Sequence, residues 1–401
     1  MSDHLSRSRC GAVEVVWLGD SIREITYEES PLNEAVNARL QLQLTPEGGV
    51  VLAPELCYLL DDLLKTVASL PATESQKKLN LADKIFGHLV LREYTTTPRN
   101  PKLRSAVWRA ILDHVWRWES SNEEVHKGAP YYFMGETYLE SGDIPSAYMC
   151  LFSALEEDLR NYPAISKNPR EGPAYRTTSL VDNVDNRLYA AVVVPLRGAL
   201  EILMNDYNSR AGAHLSMQTL DEKFLQAEPL EDVKRFFVAN FHEIYHLAPL
   251  NSTRLIRNAY SKLKVADTLF NLSLVVDQIV QYRFLRNAPT KEKKMANGIH
   301  RVALHLGWTT RARFGDAGDF IGKVKPDLNR GSPDQILKSI LGGTATYDRV
   351  ALDARQRAIF ASYHLRNYGG HHIEGCDILI DRYSDVVRLV TDAFFVSAEC
   401  L

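Results

Sequence analysis

The chain has 401 residues, 45% hydrophobic and 24% charged, with a formal net charge of −3. That is length enough for two or three ordinary globular domains, and so small a net charge argues against a chain that binds polyanions over its whole surface. No run approaches 18 apolar residues, no basic start leads into an apolar core, and Cys10, Cys57, Cys150, Cys376 and Cys400 form no CxxC pair, so we expect a cytoplasmic protein with reduced thiols, no thiolate zinc site, no secretion and no membrane span.

Taken in order, residues 1–53 read as a small β element. Val13–Trp17 and Val36–Leu44 are strand-like, the second with apolar residues at every other position, and Val50–Leu52 could pair back across the turn Thr45–Gly49. From Pro54 the apolar spacing becomes helical. Leu56, Leu59, Leu60, Leu63, Leu64 and Val67 make one face, with Pro54 suited to a first turn. Leu79–Tyr94 and Leu103–Trp118 read as helices separated by a Pro-containing breaker over 97–101.

Tyr131, Met134, Gly135, Tyr138, Gly142, Ala147, Leu151 and Ala154 follow, with small residues where two helices would cross closely. This spacing resembles one tetratricopeptide repeat. The resemblance implies a helical hairpin that binds a protein partner or organises an assembly, although a solenoid needs about three stacked units. Tyr162–Thr178, rich in Pro, Gly, Asn and Arg, predicts a loop. Leu188–Asn205 and Leu220–Phe241 resume the helices, and Pro249 should end the one that carries His246. Asn251-Ser252-Thr253 is a helix start signal and the expected domain boundary. Beyond it we expect a long helix pair or one bent helix over Arg254–Leu285, then helices over Val350–Leu365 and Asp377–Glu399. The fold class is mainly α: a β-containing element over 1–53, a helical repeat-like domain over 54–249, and a C-terminal helical bundle over 250–401.

Between the last two helices stands Arg366-Asn367-Tyr368-Gly369-Gly370-His371-His372. A guanidinium is a fixed planar charge that grips phosphate, and an imidazole can take or give a proton near neutrality. The same residues would also serve a helix that simply ends at Gly369-Gly370 with basic side chains in its last turn. The spacing Arg-Asn-x-x-x-His in a C-terminal helical region resembles the HEPN superfamily. The resemblance covers roughly the last 150 residues. It implies a metal-independent endoribonuclease, with Arg366, Asn367 and His371 in the motif positions and His372 as an alternative histidine. It also implies a homodimer with facing motifs and a role in defence or toxin-type systems. The motif departs from the family at Gly369-Gly370, since two glycines cost about 1 kcal/mol each in a helix.

Residues 283–330 hold eleven Lys and Arg against four acids, a local positive field suited to RNA. Arg283, Arg286, Lys291, Lys293, Lys294 and Arg301 are the candidate RNA-binding residues; a solvated loop is the other reading. Gly315–Lys323 fails as a phosphate loop, because Ala317 and Val324 stand where Gly and Ser or Thr are needed. The rival motif is His242-Glu243-Ile244-Tyr245-His246, an HExxH that on a helix would aim both histidines at zinc, with Glu243 activating water. Its extension fails at Pro249 and Ser252, and the first acid after Glu243 is Asp267. No cofactor is expected. A non-catalytic adaptor, in which the repeat-like helices bind a partner and the bundle dimerises, is the alternative to the ribonuclease.

Overall fold

The computed structural model describes Leu52, residues 54–88 apart from 72 and 74, 101–252, 259–309, 333–369 apart from 348, and 377–401. The chain is mainly helical, and among the described residues the sheet content is one two-stranded antiparallel pair. The strands expected before Leu52 lie outside the described residues. No described helix is long and apolar enough to cross a membrane. The chain forms two compact units, Met1–Thr178 and Ser179–Leu401, so the boundary expected near 249/250 falls inside the second.

In the first unit the helices are α1 (Pro54–Ala68), α2 (Ser75–Asp83), α3 (Pro101–Glu119), α4 (Gly128–Ser141) and α5 (Ile144–Asn161). The apolar stripe of α1 buries Leu60, Leu63, Leu64 and Val67 against Ile111, Val115 and Trp108 of α3 in one core. Each fully buried aliphatic side chain contributes about 1.5–3 kcal/mol, so this stripe is what holds α1 in place.

The turn between α4 and α5 is written locally. Gly142 takes the left-handed conformation (φ 76°), where its N–H bonds to the Leu139 carbonyl, and the next residue bonds back to Tyr138. Asp143 then caps α5 by accepting from the Ser146 N–H at 3.2 Å. The two helices cross so closely at Gly135 that a β-carbon there would lie 3.1 Å from both the Ala147 carbonyl oxygen and Leu151 Cγ.

Tyr162–Thr178, expected as a loop, is instead two short helices, α6 (Pro163–Lys167) and α7 (Pro173–Thr178), around a single 3-10 turn. The prolines that looked like breakers occupy first-turn positions, where a missing N–H costs nothing.

The second unit contains α8 (Val194–Ala211), α9 (Met217–Leu220), α10 (Glu231–Ser252), α11 (Ala259–Leu285), α12 (Met295–His305), α13 (Pro333–Leu341), the hairpin β1 (Thr346–Tyr347) and β2 (Val350–Ala351), then α14 (Ala354–Gly369), α15 (Asp377–Asp381) and α16 (Tyr383–Glu399). The helix expected from Val350 therefore starts four residues later, because Val350 and Ala351 pair with Tyr347 and Thr346. Asp353 then accepts from the Gln356 N–H at 2.8 Å to cap α14.

Pro249 does not end α10, which runs on to Ser252. A proline there removes the donor for the Tyr245 carbonyl. The neighbouring Ile244 carbonyl accepts from the buried Tyr383 hydroxyl at 3.0 Å, which ties this turn to α16.

The core of this unit is aromatic. Phe394 of α16 stacks on Phe237 of α10 at 4.0 Å between ring centres, and Phe224 meets both rings edge-on. Ion pairs add register. Arg355 of α14 grips Glu399 at 3.0 Å, and Tyr207 of α8 donates to the same carboxylate at 2.9 Å.

Candidate functional site

The C-terminal half of α11 reads Leu272-Ser273-Leu274-Val275-Val276-Asp277-Gln278-Ile279-Val280, one acid in an apolar run. Packing against α14 and α16 buries Leu272, Val275, Val276, Ile279 and Val280, and Asp277 with them. A lone buried carboxylate is costly unless it is paired. Its partner is Arg366 in the last turn of α14, with Nε 3.0 Å from Asp277 Oδ2. Burial pushes the Asp277 carboxyl above its ordinary value, while Gln281 and Arg366 pull it back towards the ionised form.

Arg366 is 33% exposed and Asp277 1%. The guanidinium therefore spans from a buried anchor to the surface. Its Nε faces that anchor across the ion pair, although neither this N–H nor the Asp277 oxygens make a hydrogen bond among the described residues, and a guanidinium carries five N–H donors. An arginine fixed in this way loses less side-chain entropy when it meets an anion than a free one would.

Asn367 follows within α14, and its side chain lies outside the described residues, as do His371 and His372. Of the motif, the described residues thus place Arg366 alone. The basic candidates follow from the same helix. Arg283 lies six residues beyond Asp277, about 9 Å along the axis, and Arg286 stands in the turn just after Leu285 ends the helix; both are exposed. Arg283 lies over the Phe284 ring and Arg286 over the Tyr282 ring, at 5.9 and 5.7 Å. Lys291, Lys293 and Lys294 are exposed in the connection to α12, and Arg301 is partly buried on α12. The remaining basic residues of that segment, from Arg311 onward, fall outside the described residues.

The HExxH residues sit on α10. His242 and Glu243 are buried and His246 is exposed. Glu243 faces Lys264 of α11, 3.3 Å away, so its carboxylate is engaged by a cation. Burial, with His246 nearby, lowers the His242 pKa to about 4. Among the described residues no group of three or more His, Cys, Asp or Glu side chains is arranged to hold a metal ion.

The sequence reading missed Asp277, although its signal was there: an acid in the middle of an apolar helical run needs a cation on whatever packs over it. It also missed a charged centre in the first unit. His126 is buried, with Nδ1 donating to Asp83 at 3.0 Å and Nε2 to Asp158 at 3.1 Å. The Tyr162 ring meets it edge-on at 4.8 Å, and the Tyr162 hydroxyl donates to Asp83. Burial opposes charge on His126, but hydrogen bonds to Asp158 and Asp83 overcome it and raise the pKa to about 9. With both nitrogens committed, this imidazolium is a clamp rather than a proton carrier.

Comparisons with protein families, with curated proteins and with solved structures find no match to this chain.

Proposed function

We propose that the second unit is a HEPN-type, metal-independent endoribonuclease. The observation that carries this reading is the ion pair of Arg366 with buried Asp277 on α11, a helix that bears exposed Arg283 in its last turn and is followed at once by exposed Arg286. Arg366 would neutralise charge on the phosphorane, and His371, with His372 as the alternative, would exchange the proton. The 2′-oxygen bonds to the adjacent phosphorus as its proton leaves, the bond from phosphorus to the 5′-oxygen breaks, and the leaving oxygen is protonated. Products then carry a 2′,3′-cyclic phosphate and a 5′-hydroxyl. Asn367 would orient the phosphate or hold Arg366. One Arg–His set is a sparse centre, so the proposal includes a homodimer with facing motifs. The close α4–α5 hairpin would hold a protein partner or sense a trigger, in a cytoplasmic defence or toxin-type setting.

The second reading, a non-catalytic adaptor, draws on the same ion pair: an arginine that offsets the charge of a buried carboxylate also suits a purely structural role. The readings separate when RNA is incubated with the protein in EDTA, wild type against His371→Ala, with and without candidate activators. Loss of RNA with the wild type alone supports the nuclease. Equal survival with both supports the adaptor.

A further inference from the structure

A second feature of the second unit is independent of the Arg366 centre. A small pocket of about 80 Å³ is lined by Arg210, Ile340, Leu341, Ala354, Arg357, Arg388 and Leu389. One water needs at least about 10–15 Å³ of such space, so the pocket admits a small ion or a few waters.

Its three arginines are not equally engaged. Arg210 is bidentate to Asp392, at 2.6 and 3.0 Å, and also bonds Asp206 at 2.9 Å. Arg388 reaches Asp385 at 3.0 Å, but Asp385 is shared with Arg382 at 2.6 Å. Arg357 makes no side-chain ion pair or hydrogen bond among the described residues, and its terminal nitrogen lies 3.7 Å from where a β-carbon at Gly343 would stand. The Nε–H groups of both Arg357 and Arg388 are buried with no acceptor among the described residues. Three carboxylates therefore face four guanidiniums, and two buried charged donors at one pocket lack a protein acceptor. Buried donors of this kind are satisfied in native proteins as a rule, and an anion with several acceptor oxygens satisfies both at once.

We propose that this pocket is an oxyanion site that binds phosphate, either as the free ion or as the terminal group of a phosphate monoester, through Arg357 and Arg388. Arg357 lies nine residues before Arg366 on α14, about 14 Å along the axis and half a turn around it. The site is therefore separate from the proposed nuclease centre.

The test is thermal unfolding of the full chain in inorganic phosphate against chloride at matched ionic strength. At about 100 times Kd, phosphate should raise the wild-type Tm by about 5–10 °C. Arg357→Gln and Arg388→Gln should each remove most of that rise, and Arg366→Gln should keep it. A parallel arm with AMP separates the sources: a larger rise than with phosphate assigns a monoester, an equal or smaller one the free ion. A phosphate-blockable modification of Arg357 by phenylglyoxal, mapped by mass spectrometry, supports the site without any variant. Equal rises in wild type and Arg357→Gln, or none in the wild type with no protection of Arg357, would overturn the proposal. A rise abolished by Arg366→Gln alone would move the anion to the other centre and overturn it too.

Discussion

Arg366 Nε stands 3.0 Å from Asp277 Oδ2, joining the last turn of α14 to the C-terminal half of α11. The pair sets the first prediction. Arg366→Met leaves a buried carboxylate uncompensated. Such losses cost about 3–5 kcal/mol when both partners are buried; with Arg366 a third exposed we expect about 2–3 kcal/mol. Adding Asp277→Asn to Arg366→Met should recover about 1–2 kcal/mol of that loss. Urea unfolding of the two singles and the double measures the coupling. Losses that merely add would mean that the pair contributes nothing.

Replacing Arg366 by Lys keeps the charge and discards the planar fork. Lysine cannot hold Asp277 through one nitrogen while presenting others to a phosphate. In an active enzyme, the RNA cleavage rate should fall by about 10²–10³, the value of one well-placed electrostatic donor, while RNA affinity changes little because exposed Arg283, Arg286 and the nearby lysines supply it. Single-turnover cleavage and a binding isotherm separate the two effects.

His126 predicts a pH dependence for the first unit. Its folded pKa, about 9, lies above the unfolded value near 6.5. The protonated form favours folding, so the contribution is fully present below pH 6.5 and is lost as pH rises through 9. At 1.36 kcal/mol per unit the swing is about 3 kcal/mol, and the His126 side chain is only 1% exposed. Unfolding followed by tryptophan fluorescence in a Trp308→Phe background reports this unit, because Trp108, Trp116 and Trp118 lie on α3 and Trp308 is the one tryptophan of the sequence in the second unit. His126→Gln should flatten the slope between pH 6.5 and 9. An unchanged slope would place the titrating group elsewhere.

Gly128 should tolerate no side chain. A β-carbon there would lie 2.5 Å from Asp158 Oδ1 and 2.6 Å from His126 Cε1, in the middle of the clamp. In an exposed helix Gly→Ala gains about 1 kcal/mol. Here the clash should reverse the sign and cost about 1–3 kcal/mol, and it should weaken the alkaline slope as well. Gly198, with nothing within 4 Å of its β-position, is the control that should be stabilised by Ala.

Most of the helical architecture was legible from the sequence, because apolar residues at helical spacing bury one face wherever they occur, as in Leu60, Leu63, Leu64 and Val67. The α4–α5 hairpin, with small Gly135 and Ala147 where its helices cross, was legible because its cause is local. Three features were not. Pro163, Pro169 and Pro173 read as breakers, since nothing in their own spacing says they begin helices. Pro249 was expected to stop α10, and the tie from the Tyr383 hydroxyl to that turn comes from a helix 139 residues later. The Asp277–Arg366 pair joins residues 89 positions apart, and its two halves looked unrelated until packing joined them. The motif histidines and the N-terminal strands lie outside the described residues.

The most direct measurement is the chemistry of RNA ends made in EDTA by wild type and by His371→Ala. The account predicts fragments with 2′,3′-cyclic phosphate and 5′-hydroxyl ends from the wild type and none from His371→Ala, whose RNA binding stays near normal, with His372→Ala the milder change. Ends bearing 3′-hydroxyl and 5′-phosphate, or RNA equally intact with both proteins under every activating condition tried, would contradict it.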